Sequence, residues 1–127
     1  EQISGDGIRC FSGNLDKKEL VQLYQKAWVF CLPSRYEGLG CPYLEAMASG
    51  CSIVTTENEG ANEVLDNGRC ARIVTVKDLP EATVSLMKDS KLRDHYAKIG
   101  LERVKIFSST RILAEYKNIY EKLLRKK

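Results

Sequence analysis

What the chain lacks narrows it first. No apolar run approaches the roughly 18 residues that a membrane span needs. The opening Glu1-Gln2-Ile3-Ser4-Gly5-Asp6 has neither the basic nor the apolar stretch of a secretory leader. Neither an integral membrane protein nor a secreted one is expected. With one histidine, His95, and no C-x-x-C among Cys10, Cys31, Cys41, Cys51 and Cys70, a zinc site and a disulfide framework both fit poorly. Cys10, Cys31 and Cys51 lie in or beside apolar runs, where a free thiol in a reducing compartment serves as a small buried hydrophobe. No repeat, low-complexity stretch or linker divides the 127 residues, so residues 1–127 are expected to form a single domain. No stripe of interleaved aromatic and basic residues marks a nucleic-acid surface, and nucleic acid is not an expected partner.

What is there is ordinary in amount, 43% apolar and 29% charged, and uneven in placement. Residues 1–87 carry eight basic against twelve acidic residues, whereas residues 88–127 carry twelve against five, so the net charge of +3 conceals a cationic C-terminal end. Its charges are interleaved along helix-like sequence. Two readings stay open, a solvated helical face and peripheral contact with an anionic membrane surface.

Short apolar runs alternate with helical periodicity. Ile8 to Ser12 reads as a strand ended by Gly13. Asp16 can cap a helix carrying Leu20, Val21, Leu23, Tyr24 and Ala27. Trp28 to Leu32 reads as a strand buried on both faces, with Trp28 filling the core. Pro42 suits the start of a helix that Gly50 stops. Cys51 to Val54 and Ala71 to Val76 give two more strands, with a helical turn from Asn62 to Leu65 between them. From Leu79 onward the period is helical only, over Leu79 to Lys88, Ser90 to Ile106 and Ser109 to Arg125. The pattern predicts an α/β class, four strands in a mostly parallel sheet with a helical C-terminus, and a ligand beyond the carboxyl ends of the strands. His95 lies on a surface-type helix far from that end and reads as an exposed structural residue.

The informative segment runs from Pro33 to Gly50. Gly38 and Gly40 allow the backbone to pass close to a bound group, and a helix starting near Cys41 or Pro42 aims free N–H groups and its positive dipole end at the same space. That arrangement suits a phosphate or diphosphate. Glu37 and Glu45 flank it, and a carboxylate, as a pure acceptor, can bridge the neighbouring hydroxyls of a sugar or ribose. Singly, each residue has a plain alternative: dipole compensation for Glu45, solvation for Glu37, turn geometry for the glycines. Together they are far more specific.

Pro33-Ser34, Glu37-Gly38-Leu39-Gly40, Pro42 and Glu45-Ala46-Met47-Ala48-Ser49-Gly50 resemble the donor-site motif of the retaining glycosyltransferases of the GT-B fold, group 1 or family 4 type. Further similarity lies in Phe11-Ser12-Gly13, in Glu59-Gly60-Ala61-Asn62-Glu63, in Asp66-Asn67-Gly68 and in Tyr116 to Tyr120, so it spans about residues 8–124. The resemblance implies a Rossmann-like three-layer half of a GT-B fold, the C-terminal, nucleotide-sugar-binding domain. By the same resemblance Glu37 is the catalytic-site carboxylate that holds hydroxyls of the donor sugar, and Glu45 holds the nucleotide ribose. The backbone of Gly38, Leu39, Gly40 and Cys41 lines the sugar and diphosphate, and Gly13, Asn14 and Leu15 lie near the base. A UDP- or GDP-sugar donor, a glycan or lipid-linked acceptor, an N-terminal acceptor domain or partner chain, no catalytic metal or cofactor, and a cytoplasmic location follow from it. The first strand–helix units of such a domain, with the Arg and Lys pair they supply for the diphosphate, have no counterpart here. Gly5-Asp6-Gly7 resembles only the end of one of them. Two alternatives therefore remain: a nucleotide-sugar-binding subunit or vestigial half that is inactive alone, and an epimerase of similar fold, which the Glu37 to Glu45 motif fits less well.

Overall fold

A computed structural model of the chain describes residues 4–5, 8–9, 11, 13 and 15–125. Its centre is a parallel three-stranded sheet in the order β3 (Val29–Leu32), β4 (Ser52–Thr56), β5 (Arg72–Val74), with Phe30 opposite Ile53 and Thr55 opposite Ile73. β4 is buried along its whole length because it has a strand on either side and helices over both faces. Its alternating side chains divide the core: Ile53 belongs to one cluster with Tyr43, Met47 and Leu65, and Val54 to another with Ala82 and Leu86.

Three sequence expectations are corrected here. Among the described residues the sheet has three strands rather than four: the run beginning at Ile8 gives β2 (Ile8–Arg9), paired antiparallel with β1 (Ser4–Gly5) in a separate ribbon, and its Cys10 and Ser12 lie outside the described residues. Trp28 to Leu32 is not buried on both faces, because β3 is an edge strand of that sheet, and Cys31 is exposed on it. Trp28 does not fill the core either: it is 63% exposed, and the guanidinium of Arg93 lies 4.6 Å from its ring centroid. Cys51 is buried as expected, Cys70 is buried as well, and Cys10 lies outside the described residues.

The helices form where local chemistry places them. Asp16 caps α1 (Lys17–Lys26), and the Glu19 side chain accepts from the Asp16 N–H, completing a capping box. α2 (Cys41–Ala48) follows the left-handed Gly40 and ends before Gly50. Asn58 caps α3 (Glu59–Val64), which begins earlier than the pattern suggested because that cap, rather than the apolar spacing, fixes its start. α4 (Leu79–Lys88) has the predicted limits. α5 (Ser90–Val104), capped by Asp89, passes into a short 3-10 turn (Lys105–Phe107).

α5 ties the layers together. Its first half packs Leu92 and Tyr96 on the Val54 cluster, its second half packs Ile99 and Val104 on the Ile53 cluster, and Ser52 Oγ donates to the Arg93 carbonyl between them at 2.9 Å. Arg93 also donates to the last carbonyls of α4, Leu86 and Met87, and Arg103 to the Glu63 and Val64 carbonyls of α3. Finally, α6 (Ser109–Leu124) leaves its apolar row exposed, including Ile112, Tyr116, Ile119 and Leu123.

Candidate functional site

The carboxyl ends of β3 and β4 are joined by a buried polar network, and the segment after β3 hangs from it. The Ser34 carbonyl accepts from Thr56 Oγ1 at 2.6 Å and from Asn58 Nδ2 at 3.2 Å. Thr55 Oγ1 donates to the Leu32 carbonyl at 2.8 Å and accepts from the Tyr43 hydroxyl at 2.8 Å. Among the described residues no buried side-chain polar atom lacks a partner. A satisfied network of this kind holds a single geometry, because every alternative leaves a desolvated polar group unpaired.

On that base sits the Glu37 to Gly40 turn, with Glu37 half-buried and Leu39 exposed. Gly60, in the first turn of α3, is packed so closely beneath it that a Cβ there would lie 2.6 Å from the Gly38 carbonyl oxygen and 2.8 Å from that of Glu37. At the other end of the turn, Gly40 has φ +71°, and a Cβ on it would meet the Tyr43 ring at 2.4 Å. Only glycine meets both demands. α2 then starts with no side-chain cap and no acidic residue in its first turn, so no side chain of that turn compensates the positive end of its dipole. Pro42 has no N–H to offer, and the N–H of Tyr43 is taken by the Gly40 carbonyl at 2.9 Å. Cys41, the first residue of α2, is exposed.

Glu45 is the fifth residue of α2 and exposed, so it lies beyond the turn where dipole compensation is strongest. Its Oε2 accepts a hydrogen bond from the Tyr24 hydroxyl of α1 at 3.2 Å. Burial, then the Glu45 charge and this hydrogen bond, push the Tyr24 phenol up to about 12. Because the folded state holds this proton more tightly than the unfolded chain, the stability it contributes is complete below pH 10 and lost as pH rises toward 12. Urea melts from pH 9 to 11.5 are expected to show a shallower alkaline decline for Tyr24→Phe than for the parent chain. Superimposable slopes would refute this. Burial also pushes the Cys51 and Cys70 thiols up, a contribution of the same sign that both proteins share.

Of the remaining predicted residues, Gly13 is exposed at φ +107°. Leu15 lines a separate hollow of about 370 Å³ with Phe11, Glu19 and Leu23, to which no residue of the Glu37 to Glu45 segment contributes. Asn14 lies outside the described residues. His95 is exposed, its ring edge-on to Tyr96. Sequence reasoning missed Tyr24 as a partner of Glu45 and Gly60 as the seat of the turn. Arg35 lines a hollow of about 780 Å³ at the carboxyl ends of β4 and β5 with Thr56, Glu57, Asn62 and Asp78. The general preference for ligands at the carboxyl ends of parallel strands was the available signal for that hollow.

The fold and this turn together belong to one known group. Residues 9–103 match the family model of the glycosyl transferases group 1, and the chain belongs to that family. It is 36% identical, over 89% of its own length, to an MMP alpha-(1->4)-mannosyltransferase of Mycolicibacterium hassiacum, 29% of which it spans. Among solved structures it superposes on sucrose-phosphate synthase from Thermosynechococcus elongatus with a TM-score of 0.81 at 25% identity, covering 93% of this chain and 31% of that one. The C-terminal domain of a group 1 glycosyl transferase from Francisella tularensis gives 0.65 at 28% identity, over 75% of this chain and 50% of that one. The α/β architecture is accordingly that of a GT-B glycosyltransferase C-terminal domain.

Proposed function

We propose that the chain binds the donor of a retaining glycosyltransferase, a nucleoside diphosphate sugar with uridine or guanosine as its base. The observation that carries this is the uncapped, carboxylate-free N-terminus of α2 behind a glycine turn, with Glu37 before it and Glu45 after it. In this assignment Glu37 accepts hydrogen bonds from hydroxyls of the donor sugar and Glu45 from the ribose, while the backbone from Gly38 to Cys41 runs beside the sugar and diphosphate. Gly13, Asn14 and Leu15 are assigned to the base. As the glycosidic bond breaks, negative charge grows on the departing diphosphate, and a fixed helix dipole costs no reorganisation at that moment. The related mannosyltransferase is matched over only 29% of its length. Donor binding is therefore assigned to this chain, and turnover to an assembly in which further residues bring a glycan or lipid-linked acceptor.

Calorimetric titration with UDP, GDP and their hexose conjugates tests the donor site. Saturable binding is expected for one nucleotide, weakened about tenfold or more in Glu45→Ala, since a hydrogen bond to a charged acceptor contributes roughly 1.5–3 kcal/mol. Equal affinities in the two proteins would remove Glu45 from the site.

A cytoplasmic site of action against an anionic membrane, suited to a lipid-linked acceptor, is part of the same proposal. It draws on the exposed apolar row of α6 beside Arg111, Lys117, Lys122 and Arg125. No helix of the described residues is long and apolar enough to cross a membrane. Retention on anionic liposomes at low salt is expected, and passage into the unbound fraction would end that part of the proposal.

A further inference from the structure

We infer that Tyr24 is a positioning residue for the ribose-binding carboxylate, its phenol on α1 holding Glu45 on α2 in the orientation that a vicinal diol requires. This rests on the assignment of Glu45 to the ribose. Among the described residues, the Tyr24 hydroxyl, 3.2 Å away, is the one hydrogen-bond partner of the Glu45 carboxylate. Without it, an exposed glutamate side chain samples several rotamers and must surrender that freedom when a ligand binds.

The phenol is itself held from three directions. Its ring packs on Phe30 of β3, centroids 5.5 Å apart and planes tilted 56°. Its backbone carbonyl accepts from the Cys51 thiol, just before β4, at 3.0 Å. α1 itself is fixed at its start by the Asp16 and Glu19 capping box. Glu45 is thereby referenced to the sheet through Tyr24, as well as to α2 through its own backbone.

The stoichiometry of lone pairs permits this. An ionised carboxylate has about four acceptor positions, and the phenol occupies one of them on Oε2, so both oxygens remain able to receive the two hydroxyls of a ribose. A phenol held near 12 stays protonated, and stays a donor, throughout the neutral range. The contact also spares the ligand from ordering the side chain, which is preorganisation of a binding group by its neighbour.

The test uses the full chain and four probes, UDP, GDP and the 2′,3′-dideoxy form of each, titrated into the parent chain, Glu45→Ala and Tyr24→Phe. The parent is expected to prefer the ribonucleotide, and Glu45→Ala to lose that preference. Tyr24→Phe keeps the ring on Phe30. It is expected to weaken the ribonucleotide about fivefold, since the ligand must then order the Glu45 side chain itself, and to leave the dideoxy form unchanged. Equal weakening of both forms would mean that Tyr24 supports the fold only, and would overturn the inference while Glu45 keeps its role. A full ribose preference in Tyr24→Phe would do the same. If Glu45→Ala retains the preference, the assignment of Glu45 falls, and the inference with it. A ligand-free measurement stands beside these: the 13Cζ resonance of Tyr24 is expected to move in Glu45→Ala, and an unmoved resonance would overturn the contact whatever the titrations show.

Discussion

Gly60→Ala is expected to lower the melting temperature by several degrees and to weaken nucleotide binding by more than tenfold. Alanine favours a helix over glycine by about 1 kcal/mol, so on propensity alone α3 would gain. Against that stands a Cβ placed 2.6 Å and 2.8 Å from two carbonyl oxygens. These are backbone atoms, which cannot rotate aside. The turn is also held at Ser34 by Thr56 and Asn58, so relief must come from moving the Glu37–Gly38 peptide or tilting α3. Overpacking of this kind costs about 1–3 kcal/mol or more, which outweighs the gain. Either movement displaces Glu37 relative to the start of α2. Gly38→Ala is the companion variant, because its Cβ meets nothing within 4 Å, and it should melt like the parent. A Gly60→Ala protein at least as stable as the parent, with its binding intact, would show that the turn is not seated on α3.

The second large effect belongs to Tyr43. Tyr43→Ala is expected to destabilise the chain by about 4 kcal/mol, the cost of emptying a buried aromatic position. For a chain of this length that is a fall in melting temperature of roughly 10 °C or more. The ring is fully buried in the Ile53 cluster and supports the left-handed Gly40, so the start of α2 loses its backing together with the core. Tyr43→Phe isolates the hydroxyl, which loses its 2.8 Å bond to Thr55 and the 3.5 Å bond it accepts from Asn58 Nδ2, and should cost about 1 kcal/mol. If thermal and urea melts place Tyr43→Ala within 1 kcal/mol of the parent, the network at the ends of β3 and β4 is not what orders the turn.

The segment from Pro33 to Gly50 was readable because its signals are local and mutually consistent: a run ended by Pro33, two glycines, Pro42 at a helix start and Gly50 at its stop. The limits of α4 were readable for the same reason. Trp28 was misread because apolar character alone does not tell an edge strand from a central one, and β3 lies at the edge. Likewise, Ile8 and Arg9 carry a strand pattern, but which strand they pair with is not written in it. Tyr24 and Glu45 are 21 residues apart, and no spacing rule links a position on one helix to a position on another. Gly60 was noticed as part of a motif, yet its steric role depends on a turn that comes more than twenty residues earlier.

α5 sets how the domain comes apart. Its apolar residues serve both faces of the sheet, and two of its arginines close the carboxyl ends of α3 and α4. Detaching it would open both clusters and uncap two helices at once, so neither face can melt while the other persists. The three parallel strands thus form one cooperative unit, whose amides bonded between strands exchange with solvent through global opening. Ser52, where α5 crosses, is the first residue of β4, whereas the Glu37 turn hangs from the strand's far end. The clamp that governs lifetime and the surface proposed to meet the donor occupy opposite poles of one strand. Exposed positions of the turn such as Leu39, unlike the buried Gly60 and Tyr43 that support it, can therefore be substituted at little expense in persistence of the fold.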